Sequence, residues 1–180
     1  AETVTTPRLL PDSAPPDSVR RPAADTPIIE RPRDTAARRP PRVDSVPARI
    51  RRRFPKATAF EASPAPFPHG IVSGPAGVIG YEVDTDEAGT TQDGYGGPVP
   101  MMLWFDAAGR VTEVKALGND ETPGYMQIIL NSGLLDSLRG YSAFEPESVD
   151  VVTLATKSAR AMIEATRLTA RRVADELLPR

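Results

Sequence analysis

The chain has 180 residues, 39% of them hydrophobic and 26% charged, with 20 prolines, 13 glycines and no cysteine. The absence of cysteine excludes a disulfide framework, a thiolate zinc site, an iron–sulfur cluster and a cysteine nucleophile, and one histidine, His69, leaves little for a histidine-rich metal site or a Ser-His-Asp triad. The net charge of -2 conceals an asymmetry, because residues 1–60 hold 13 basic and 7 acidic side chains whereas residues 61–180 hold 9 and 17.

Residues 1–46 read as an extended Pro/Arg-rich arm. Pairs such as Pro15-Pro16 and Pro40-Pro41 block both helix and sheet ladders, and the apolar pairs Leu9-Leu10 and Ile28-Ile29 are too isolated to close a core. Two roles stay open for this arm: a strap lying on partner subunits, or a flexible tether between a membrane anchor and the domain. No apolar run approaches the roughly 18 to 20 residues of a membrane span, so a water-soluble chain is expected. Ala1-Glu2 would suit the mature end left by signal-peptide removal.

Residues 47–180 read as one α+β domain, an antiparallel sheet packed against a long C-terminal helix. The spacing predicts a short helix from Pro47 to Phe54, with Ile50 and Phe54 on one face and the arginines 49, 51, 52 and 53 in solvent. That helix explains the basic run without nucleic acid, since no aromatics are interleaved for stacking and the following domain is acidic. His69 falls in a proline-flanked loop with no second metal ligand. Val78–Val83 and Val99–Phe105 are strand runs; Asp106–Gly109 makes a turn, and Val111–Leu117 alternates apolar and polar residues, completing a hairpin. Asp84, Asp86 and Glu87 lie in a polar loop that lacks the spacing of a calcium site, and Met101-Met102 belongs to sheet packing. The sequence Gly94-Tyr95-Gly96-Gly97-Pro98 specifies a tight turn. Short helices follow over Tyr125–Asn131 and Leu134–Arg139. From Ser158 to Leu178, apolar residues recur at three and four, and the opposite face carries Arg160, Glu164, Arg167, Arg171 and Asp175, the last two at ion-pairing distance along a helix.

The start of that last helix is the candidate site. Thr153, Thr156 and Ser158 supply hydroxyls and Lys157 a cation, where unpaired N–H groups and the helix dipole favour an anion. A helix cap made by Thr153 or Thr156 accounts for the same residues.

The order Gly94-Tyr95-Gly96-Gly97-Pro98-Val99-Pro100, hairpin, Glu121-Thr122-Pro123-Gly124-Tyr125, and Asp150 before Ala155-Thr156 resembles the FMN-binding domain family. That family includes extracytoplasmic flavin subunits of the Rnf and sodium-pumping NADH:quinone reductase complexes and domains of related membrane-bound regulators. The resemblance covers residues 47–180. It implies FMN bound through a phosphoester to Thr156, installed by a separate flavin transferase, with Thr153, Ala155, Lys157 and Ser158 in the attachment segment and Glu121, Thr122, Pro123 and Gly124 beside the isoalloxazine ring. Tyr95, Tyr125 and Trp104 are the nearby aromatics available to that ring. Function, on this reading, is electron transfer within a periplasmic or otherwise extracytoplasmic membrane complex, without nucleic acid. The family's Ser-Gly before Ala-Thr is Thr153-Leu154 here, which keeps open an alternative: a structural or regulatory subunit with the fold but no flavin.

Overall fold

The computed structural model describes residues 46–145 and 156–179. Ten elements follow in order: α1 (Ala48–Arg53), β1 (Ala59–Ser63), β2 (His69–Gly74), β3 (Gly77–Asp84), β4 (Met101–Asp106), β5 (Val111–Ala116), α2 (Pro123–Asn131), α3 (Leu134–Ser137), α4 (Lys157–Arg172) and a π-helical turn over Val173–Leu177. The five strands form one antiparallel meander in the order β1-β2-β3-β4-β5. Among the described residues, no helix is long and apolar enough to cross a membrane.

The sheet is covered on both faces, so its central strands lack the one-sided alternation of a solvent-facing sheet. On one face Tyr81, Val83, Met101, Leu103, Phe105, Val111 and Val114 pack against Met126 and Ile129 of α2, Leu134 of α3, and Ala159, Met162, Ala165 and Ala170 of α4. Burying each of the larger apolar side chains contributes about 1.5–3 kcal/mol, so this layer is the main source of stability. Ala159, Ala161, Ala165 and Ala170 of α4 are buried, and so are three of its hydroxyls, those of Ser158, Thr166 and Thr169. Thr166 and Thr169 donate back to the carbonyls of Met162 and Ala165. The Thr169 hydroxyl also lies 2.6 Å from that of Thr90, which fastens the loop after β3 to the helix.

The second face is smaller and more polar. Ile50 and Phe54 of α1 cover Val72 and Trp104, as the helical spacing predicts. Arg49, Arg51 and Arg52 are exposed, as the sequence predicts, whereas Arg53 is partly buried, and both Arg49 and Arg53 are engaged by the sheet. Arg49 donates to both carboxylate oxygens of buried Glu82, and Arg53 lies over the Trp104 ring, 3.6 Å from its centroid, while pairing with Glu113. The long stems of the two arginines reach from a short helix to strands that carry complementary carboxylates.

His69 is not in a loop. It opens β2, is buried, and its Nδ1 lies 2.7 Å from the Phe67 carbonyl oxygen, between the rings of Phe67 and Tyr81. The helical ion pair of the last segment is also shifted by one residue, joining Arg172 to Glu176 rather than Arg171 to Asp175. Arg172 is drawn inward because it also stacks on Phe67 and donates to the Ala88 carbonyl.

Two exposed carboxylates have defined acid behaviour. Hydrogen bonds from Arg172 hold Glu176 below the usual glutamate range, and those from Arg110 do the same for Glu145. A depressed carboxylate stabilises the fold above its unfolded pKa, and that contribution disappears as pH falls through the folded value. Carboxyl-carbon NMR titration should therefore find both midpoints on the acidic side of ordinary glutamate. Replacing Arg110 by methionine should return Glu145 to the ordinary range with little change in the thermal melt near neutral pH, since exposed pairs are weak, whereas Arg172→Met should do the same for Glu176 but lower the melt, because it also removes the stack on Phe67 and the bond to the Ala88 carbonyl.

Candidate functional site

The loop after β3 ends in Gly94-Tyr95-Gly96-Gly97-Pro98, closed by a hydrogen bond from Gly94 N–H to the Gly97 carbonyl at 2.8 Å and a bridge between Asp93 and Pro98. Gly97 has φ +129, a conformation that glycine adopts without strain. The turn leans on two other segments. Tyr95 N–H donates to Ser158 Oγ at 3.3 Å, and Gly96 N–H donates to Glu121 Oε1 at 3.0 Å. The sequence-distant motifs therefore meet: the glycine-rich turn, the Glu121-Thr122-Pro123-Gly124 turn and the start of α4.

Close approach is what the glycines permit here. A Cβ on Gly94 would run into Glu121 Oε1 and lie 2.9 Å from both Ser158 Oγ and Val99 Cγ2; one on Gly96 would strike the Asp120 carbonyl. Glu121 and Ser158 are buried. The Glu121 side chain thus lies inside the fold, against loop backbone. Its own N–H is held by Asn119 Oδ1 at 3.1 Å, while Asn119 Nδ2 donates to the Leu117 carbonyl at 2.9 Å. Asn119 is a site-building residue missed in the sequence; an Asn two residues before the fixed position is the turn signal that would have found it.

Thr122 occupies the N-cap of α2 without a side-chain capping bond, and its carbonyl accepts from Tyr125 and Met126 N–H, both at 2.9 Å. Pro123 opens the helix, where its missing N–H costs nothing. Gly124 is exposed, and a Cβ there would meet nothing within 4 Å. Tyr125 meets Tyr95 edge to face, with ring centroids 6.1 Å apart and planes at 72°. Trp104 does not join them. It points to the opposite sheet face, where its Nε1–H donates to Glu82 at 2.8 Å.

Thr156 is the N-cap of α4, and its Oγ1 accepts from Ala159 N–H at 3.2 Å. Lys157 follows, exposed and without a protein partner among the described residues. Thr153 and Ala155, with Asp150 and Leu154, lie outside the described residues, as do residues 1–45 of the arm; its last residue, Val46, is buried with Ile50 and Phe54. The residues present fit a flavin phosphate: a threonine hydroxyl, a lysine and first-turn N–H groups gather at a helix start, and two tyrosines stand by the same loop. A separate cleft of about 270 Å³, lined by Arg49, Phe60, Glu82 and Asp84 among others, contains none of these motif residues. Among the described residues no cluster of carboxylate and imidazole groups could hold a metal ion.

No curated protein sequence matches the chain. Residues 94–170, from the glycine-rich turn to the buried part of α4, match the family model of the FMN-binding domain, and this match supports a flavin-binding function for the chain.

Proposed function

We propose that the protein is an extracytoplasmic electron-carrier subunit of a membrane redox complex, with FMN joined through a phosphoester to Thr156. The observation that carries this reading is the placement of Thr156 and exposed Lys157 at the start of α4, inside the family-matched segment and against the glycine-rich turn. When bound, FMN supplies one- and two-electron transfer. The chain's own residues hold and orient it. The N–H groups of the first turn, which have no acceptors within the helix, and the Lys157 ammonium offset phosphate charge.

Attachment needs a second protein. Among the described residues, the protein contact of the Thr156 hydroxyl is an accepted hydrogen bond from Ala159 N–H, not a base that would activate it. A flavin transferase would therefore form the Thr156 Oγ1–P bond while breaking the pyrophosphate of FAD. AMP leaves, and the hydroxyl proton passes to the transferase. Partner subunits of the complex are the second class of partner, with residues 1–46 available to lie against them.

The same capping bond favours a second reading, in which Thr156 only caps α4 and the protein is a structural or regulatory subunit without flavin. Intact mass and in-gel fluorescence of the native protein separate the two. The electron-carrier reading expects one FMN adduct and a fluorescent band that survives denaturation. Thr156→Ala should remove both at a stability cost of about 1 kcal/mol, the ordinary value of a cap. A native chain with flavin released on denaturation would leave a non-covalent carrier, and one with no flavin would establish the structural reading.

A further inference from the structure

The outer side of α4 carries chemistry that the flavin reading does not use. Glu164, Arg167, Leu168 and Arg171 lie at helical spacing along one stripe and, with Tyr141 and Ala143 after α3, line a cleft of about 390 Å³. That volume falls within the range of small-molecule sites, roughly 300–1,000 Å³. The stripe begins about two turns beyond Thr156, roughly 12 Å along the helix axis, and none of the glycine-turn or Glu121–Gly124 residues lines the cleft.

Three features of the lining call for a ligand. Tyr141 is only 6% exposed and belongs to the core, its carbonyl accepting from Val111 N–H at 2.9 Å, yet its phenol has no hydrogen-bond partner among the described residues. Polar atoms of buried residues are normally paired. Nor is this one sealed from outside, since Arg53 Nε is the buried side-chain polar atom without a partner among the described residues; the phenol therefore opens on the space that Tyr141 lines. Arg171 forms no ion pair or side-chain hydrogen bond among the described residues, and Arg167 reaches Glu164 only at 4.0 Å. The helix dipole accounts for a cation in the last turn, but for neither Arg167 one turn earlier nor the idle phenol. Apolar surface adjoins these donors, because Leu168 is partly exposed and Phe144, next to Ala143 in the chain, is largely so.

From this arrangement we infer that the cleft binds a phosphate ester with an apolar body. Arg167 and Arg171, one turn apart, present forked donors to the phosphate oxygens, and Tyr141 adds a donor from a position fixed by the core. The carbon chain lies on Ala143 and Leu168. Glu164 works against the anion, because its carboxylate competes for Arg167. A phospholipid headgroup and a water-soluble phosphate ester share this chemistry. The site is independent of the flavin reading, since it uses none of the residues at the start of α4.

The test titrates the full chain calorimetrically with dihexanoyl phosphatidylglycerol below its micelle concentration, with hexyl phosphate and with inorganic phosphate. Sedimentation with vesicles of phosphatidylcholine, pure or mixed with phosphatidylglycerol, completes it. Wild type should bind the short-chain lipid, and inorganic phosphate about tenfold more weakly for want of apolar contact. Arg167→Met and Arg171→Met should each weaken the lipid about tenfold. Tyr141→Phe should weaken it severalfold at an unchanged thermal melt, because the deleted hydroxyl has no partner in the described protein, and Glu164→Gln should tighten it severalfold. Binding to the mixed vesicles that Tyr141→Phe diminishes would support the site and assign it to membrane lipid; a merely electrostatic attraction would not respond to that change. Binding of the short-chain lipid and hexyl phosphate without vesicle binding would support it as a site for soluble esters. No binding, inorganic phosphate bound as tightly as the esters, or titrations that Tyr141→Phe and Arg171→Met leave at wild-type affinity would overturn it. Flavin content by intact mass should be the same in every variant, so the two readings fail separately.

Discussion

Gly94→Val is expected to lower stability by about 3 kcal/mol, at the upper end of what overpacking costs. The position is buried, and even the first added carbon would collide with Glu121 Oε1 and crowd Ser158 Oγ and Val99 Cγ2. None of these neighbours can retreat cheaply. Glu121 is held through its own N–H by Asn119, Ser158 lies in the first turn of α4, and Val99 is fully buried. Relief would have to come from moving the loop, which breaks the bonds from Tyr95 and Gly96. Thermal or urea unfolding measures the loss; for a domain of this size each kcal/mol moves Tm by about 4 °C. Gly124→Ala is the matched control, because its Cβ would enter open space and the residue lies in a helix. It should leave stability unchanged or raise it by up to about 1 kcal/mol. If Gly94→Val melts like wild type, the close approach of the three motifs is wrong.

The second large effect belongs to Glu82. This buried carboxylate accepts three hydrogen bonds from Arg49, two from a shared Nε–H and one from Nη2, at 2.9 to 3.2 Å, and one from Trp104 Nε1 at 2.8 Å. Glu82→Ala strips both partners. Arg49 is half exposed and recovers water, but the Trp104 indole N–H is left without its acceptor on a covered face. The expected cost is about 2–4 kcal/mol, less than for a fully enclosed pair because of that rehydration. A double-mutant cycle with Arg49→Met should return a coupling near 1 kcal/mol, most of the loss residing in Trp104. A Glu82→Ala variant within a few tenths of a kcal/mol of wild type would show that the carboxylate does not hold the second face together.

How far the fold was legible depends on the element. The β4–β5 hairpin was readable because two β-prone runs flank a glycine turn, and α4 because its apolar residues recur at helical spacing; the strict alternation expected of β5 does not hold, since the pairing shifts between Trp104 and Phe105 and buries both Val111 and Val114. β1 and β2 were not. Ala59–Ser63 and His69–Gly74 are short, contain small residues and flank a run with Pro64, Pro66 and Pro68, so neither period nor composition marks them as strands. The face of Trp104 was equally hidden, since β4 is buried on both sides and its alternation carries no signal. At the site, the three motifs could be identified one by one and Thr156 placed at a helix start. What no local pattern conveys is that a glutamate in a polar turn faces inward: its acceptor role depends on a backbone N–H supplied 25 residues earlier in the chain.

That separation bears on the order in which the protein matures. Every strand in the meander pairs with its neighbour in sequence, so the sheet can zip up from successive hairpins with little loop-closure cost. The tie from Tyr95 to Ser158 spans 63 residues and must await the docking of the C-terminal helix. The sheet is thus an early product of folding and the glycine-turn corner a late one. In kinetic terms, substitutions at Ser158 should quicken unfolding and leave the refolding rate nearly untouched, whereas substitutions in the β4–β5 hairpin should slow refolding. A chain emerging from synthesis would possess its scaffold before it possessed its site.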